Sequence, residues 1–69
     1  MIELTKTVER PSSPYTHVAG FMQGIPAEFS FSANEINGHV RGIFLDHGDA
    51  FFFSADDHEW QEALTALRG

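Results

Sequence analysis

Ile2, Leu4 and Val8 alternate with Glu3, Thr5, Thr7 and Glu9 at the start of the chain. That is the period-two pattern of a strand with one buried face. Lys6 interrupts the apolar face, as an edge strand tolerates, and there it also discourages aggregation. Pro11-Ser12-Ser13-Pro14 predicts a short loop. Tyr15 to Gln23 reads as a second strand with Gly20 marking a bulge, and Gly24-Ile25-Pro26 closes it. Glu28-Phe29-Ser30-Phe31-Ser32 is the cleanest alternation and predicts a third strand.

Asn37-Gly38 suits the positive φ angles of a type I′ hairpin turn. With that pair as the turn, Ile36 faces His39, Ser32 faces Ile43 and Phe31 faces Phe44. His39 to Leu45 is then the fourth strand, Asp46-His47-Gly48-Asp49 a turn, and Ala50 to Phe53 a fifth strand. A two-residue loop puts Phe44 on the face of Phe51 and Phe53, whereas a three-residue loop puts it with Phe52. The two-residue loop is the expectation.

Ser54-Ala55-Asp56-Asp57 resembles a capping box, with Ser54 accepting from the first turn and acids at the positive end of the helix dipole. Trp60, Ala63, Leu64 and Leu67 follow at helical spacing and form one apolar stripe, with Arg68 at the negative end. The expected fold is α+β: an antiparallel sheet of four or five strands, then one C-terminal amphipathic helix of about 14 residues on one face. Residues 1–69 form a single small domain.

One helix covers one sheet face, yet the strands are apolar on both. Phe29, Phe31, Phe44, Phe51 and Phe53 line one side; Ile43, Leu45 and Phe52 point to the other. Leaving large apolar side chains in water forgoes roughly 1.5–3 kcal/mol each. The sheet therefore curls into a small barrel, self-associates through Ile43, Leu45 and Phe52 as in a homodimer, or offers that face to a partner.

Charge narrows the choice of partner. Ten acidic residues against four basic ones give a net charge of −6. No lysine or arginine lies between Arg41 and Arg68, a stretch that holds Asp46, Asp49, Asp56, Asp57, Glu59 and Glu62. Asp56, Glu59 and Glu62 stand three apart, on the helix side away from the apolar stripe. They read either as a solvated helix face or, with the turn acids, as an acidic patch for a basic protein surface. Direct binding of nucleic acid is argued against, because such proteins neutralise phosphates with lysine and arginine.

Chemistry-bearing patterns are sparse. His17, His39, His47 and His58 lie on different elements, and no two share the i, i+4 spacing of helical metal ligands. The absence of cysteine excludes disulfides and thiolate zinc sites. Ser12, Ser13, Ser30, Ser32 and Ser54 fall in a loop, on outward strand positions or at a helix cap. No phosphate-binding glycine loop occurs, so neither a metal, a cofactor nor an enzymatic activity is expected.

The N-terminal ten residues lack the apolar run of a signal peptide, and the longest apolar run, Ala50 to Phe53, is far too short for a membrane span. A soluble protein of the cytoplasm is expected. Small size, acidity and lack of cysteine suit a non-enzymatic inhibitor that occludes a basic, nucleic-acid-binding surface. Phage anti-restriction and anti-CRISPR proteins act in that way, an analogy of size and charge that would place this chain in a bacterial host. The alternative is a structural subunit that homo-oligomerises through the second sheet face.

Overall fold

The alternating segments become five strands joined as a simple meander. In a computed structural model that describes residues 1–32 and 38–69, these are β1 (Ile2–Val8), β2 (Thr16–Met22), β3 (Ile25–Phe31), β4 (His39–Phe44) and β5 (Ala50–Ser54). They form one antiparallel sheet in the order β1-β2-β3-β4-β5, followed by α1 (His58–Arg68). The sheet does not close into a barrel; β1 and β5 are its two edges.

The helix packs by the predicted stripe. Trp60, Ala63 and Leu64 are buried, and Leu67 packs against them. Trp60 lies 6.3 Å from the Phe31 ring, and with Phe29, Phe31 and Val40 it makes up the fully buried centre. Phe44, Phe51 and Phe53 line the same side, as the alternation predicts. The helix has 11 residues, fewer than expected, because the segment before it forms a separate turn. The N-cap is Asp57, not Ser54, and only one half of the capping box forms, the bond from the Ser54 amide to the Asp57 carboxylate. Asp57 accepts from Ser54 N at 2.8 Å and from Ser54 Oγ at 3.3 Å, so the Ser54 hydroxyl donates where it was expected to accept.

Three details of the strands depart from the expectation. The first is the bulge, which sits on β1 at Thr5, between Leu4↔Gly20 and Lys6↔Ala19. An extra residue flips all that follow to the opposite face. Lys6 is turned outward and Val8 comes to lie opposite His17, off the face of Ile2 and Leu4. Gly20 serves close approach instead: a Cβ there would stand 2.0 Å from the Glu3 carbonyl oxygen.

The second is the β2–β3 turn. It is made by Gln23 (φ 52°) and Gly24 (φ 81°), and Ile25 and Pro26 belong to β3 and do not end β2. Pro26 accepts from Leu45 N at 3.0 Å but has no N–H to return, so the β3–β4 ladder stops there.

The third is register. Phe31 faces Val40, not Phe44, and Glu28, not Ser32, faces Ile43. Ser32 N donates to His39 O at 3.1 Å, so the connection runs through 33–38, longer than a two-residue turn on Asn37-Gly38. That turn itself, and Ile36, lie outside the described residues. The shift is even, so every side chain keeps its predicted face. The β4–β5 loop spans four residues rather than two, between the paired Phe44 and Asp49, and takes Leu45 out of the strand. Its even length keeps Phe44 with Phe51, 5.1 Å between rings.

Candidate functional site

The outer sheet face divides into a covered half and an open half. Over β2 and β3 the β1–β2 connection folds back. Arg10 clamps Glu28 with two bonds, Nε to Oε2 at 2.9 Å and Nη2 to Oε1 at 2.7 Å. Those bonds hold the Glu28 carboxyl below its ordinary value, although partial burial opposes the shift. The same pairing raises the Arg10 guanidinium. His17 completes the network. Its Nε2 lies 2.7 Å from Ser13 Oγ, and its Nδ1 lies 3.0 Å from Ser30 Oγ and 3.3 Å from Glu28 Oε2.

Ser13, His17 and Glu28 thus have the order of a nucleophile, a base and an orienting carboxylate. From the sequence, Ser13 is read as a loop residue and His17 as one of four scattered histidines, and Glu28 is not considered for chemistry. The signal was present only in register: the strand pairing that sets His17 beside Ser30 and Ala19 beside Glu28 brings the group together. What a hydrolase needs next is a pair of free donors for an oxyanion. Two amides of this loop are engaged: Ser13 N donates to Arg10 O at 3.0 Å and Tyr15 N to Ser13 Oγ at 3.1 Å. The network fastens the loop to the sheet.

Over β4 and β5 nothing comparable folds back among the described residues. Ile43 is 44% exposed, Phe52 54% and Leu45 60%, the three residues the alternation assigned to this face. His39 stacks on Phe52 at 5.1 Å and Tyr15 meets His39 edge-on at 6.0 Å, so one aromatic row continues from the covered half into the open one. Arg41 lies opposite Phe52 within this surface. Together with Ile43 and Ala50 they border a shallow depression of about 510 Å³.

The six acids do not form one patch. Asp46 and Asp49 sit in the β4–β5 loop around His47, whose ring nitrogens lie 3.8 and 3.2 Å from their carboxylates. Asp56, Asp57 and Glu59 follow the other end of β5, roughly 13 Å along the strand. Glu62 is committed elsewhere. It accepts from Ile2 N at 3.0 Å and lies 3.8 Å from the N-terminal amine, tying the helix to β1.

Among the described residues no group of three or more His, Asp or Glu side chains is gathered to hold a metal. No helix among them is long and apolar enough to cross a membrane. Comparison of the chain with protein-family models, with characterised proteins and with solved structures finds no match.

Proposed function

We propose that this is a non-enzymatic protein-binding module that covers a basic, nucleic-acid-binding surface of a target protein. Its docking surface is the open outer face of β4 and β5. The observation that carries this reading is the exposure of Ile43 on β4, Phe52 on β5 and Leu45 just beyond β4, with Asp46 and Asp49 at one end of β5 and Asp56 and Asp57 at the other. A protein with net charge −6 attracts a basic surface from a distance, and the three exposed apolar side chains then supply contact area. Inhibition would follow from occupancy, because nucleic acid seeks the same lysines and arginines.

The test is capture from nuclease-treated bacterial lysate, with wild type and Phe52→Asp compared at matched melting temperature. The expected result is a stoichiometric basic partner held by wild type, released at high salt and not held by Phe52→Asp. Equal retention by both overturns the surface assignment. Bait recovered alone, and sedimenting as a dimer that Phe52→Asp dissociates, replaces the reading with self-assembly.

A further inference from the structure

Hydrogen-bond alternation decides which groups of β5 are spoken for. Phe44 N donates to Asp49 O at 2.8 Å between directly opposed residues, which makes that a hydrogen-bonded pair. Antiparallel pairs alternate, so Phe51 and Phe53 turn their N–H and C=O toward β4. Ala50, Phe52 and Ser54 turn theirs away from the sheet. Ser54 is satisfied within its own chain, its N–H by the Asp57 carboxylate and its C=O by Asp57 N. Ala50 and Phe52 have no such partner among the described residues.

The other edge is guarded. In β1 the outward N–H of Ile2 is taken by Glu62, Thr5 bulges, and Lys6 stands exposed. These are the usual devices that stop a strand from recruiting another. On β5 the sequence Ala50-Phe51-Phe52-Phe53 carries neither proline nor charge, and only its two ends are acidic.

We infer that β5 is a strand-addition site, and that the segment it takes is extended, apolar at its centre and basic at both ends. This rests on the docking reading above and specifies how the partner is held. Backbone groups of Ala50 and Phe52 bond the incoming strand, Phe52 packs beside its central side chains, and the flanking acids meet its terminal lysines or arginines. A second copy of this chain fits worse. Two-fold pairing of β5 with itself sets Asp49 of one copy toward Asp56 and Asp57 of the other, acid against acid.

The probe is an acetylated eight-residue peptide with two lysines at each end around alternating valine and threonine. Its counterpart carries glutamates in place of the lysines. Two further versions of the lysine peptide are N-methylated at one or the other alternate set of amides. The lysine peptide is expected to bind and to slow hydrogen exchange at the Ala50 and Phe52 amides. The glutamate peptide is expected not to bind, and one N-methylated version alone is expected to lose affinity.

Ala50→Pro removes one outward N–H at the first strand position, where proline is tolerated. It should weaken binding roughly two- to tenfold with the melting temperature unchanged. Equal binding of both N-methylated versions overturns strand addition while leaving face docking in place. Absence of peptide binding overturns it too, and the docking reading is then decided by lysate capture with Phe52→Asp alone.

Discussion

At the scale of single residues, the two glycines of the sheet interior differ in what their missing side chains leave room for. A Cβ on Gly20 would meet the backbone of Glu3 and Leu4, which cannot move without breaking the β1–β2 ladder. On Gly42 it would fall 1.9 Å from the end of the Phe51 ring, which occupies the slot and reaches Phe29 at 5.4 Å. Gly20→Ala is therefore expected to cost about 3 kcal/mol in urea unfolding and Gly42→Ala about 1, within the usual span for overpacking. In a Phe51→Ala background the Gly42→Ala penalty should vanish; its persistence would mean the slot belongs to the backbone. Glu28 carries the second residue-scale expectation. Its folded carboxyl is held low by Arg10, so it contributes stability above the ordinary value of 4.5 and loses it as pH falls through the lowered folded value. Glu28→Gln should melt a few degrees below wild type at pH 7, and the two curves should converge in acid. A constant gap across that range would show that the clamp acts through shape and not charge.

At the scale of elements, the helix is the clasp of the fold. Trp60 sits against Phe31, and truncating a buried tryptophan costs about 3–5 kcal/mol. A chain of this length holds roughly 3–10 kcal/mol in all, so Trp60→Ala should remove a large share of the stability and melt far below wild type by circular dichroism. A cooperative near-native melt would contradict that placement. Glu62→Ala is a gentler probe of the same clasp, expected to speed exchange of the Ile2 amide while leaving β5 untouched. The strands and helix were legible because alternation and the Trp60–Leu67 spacing directly record which positions face the core. Faces in β3, β4 and β5 survived the changes of register because both slips there were even, whereas the one-residue bulge on β1 turned Lys6 and Val8 over. Turn chemistry was less legible. Gln23 takes a positive φ that its residue type does not advertise, and the longer β3–β4 connection displaced the pairing that Asn37-Gly38 suggests. The Ser13–His17–Glu28 network was out of reach, since its members meet only once β2 and β3 are in register.

At the scale of the whole molecule, the acids we propose to meet a basic partner also keep copies apart. Net charge near −6 at neutral pH opposes self-association, and the open edge of β5 needs that protection because no lysine or proline supplies it. The balance changes near the isoelectric point of about 4.9, where the repulsion fades while the Phe52 surface and the outward amides of Ala50 and Phe52 persist. Sedimentation velocity should therefore show a monomer at pH 7 in low salt and concentration-dependent association near pH 5. Phe52→Lys places a charge where β1 has Lys6, and it should hold the protein monomeric at pH 5 with little loss of stability, since the side chain it replaces is half exposed. Glu3→Gln, on the guarded edge, changes net charge by the same single positive step and should not prevent association. If it protects as well as Phe52→Lys does, the association is colloidal and β5 has no part in it. If only the β5 substitution protects, the exposed edge of β5 is what self-pairs, which is the same strand edge that the proposed strand addition uses.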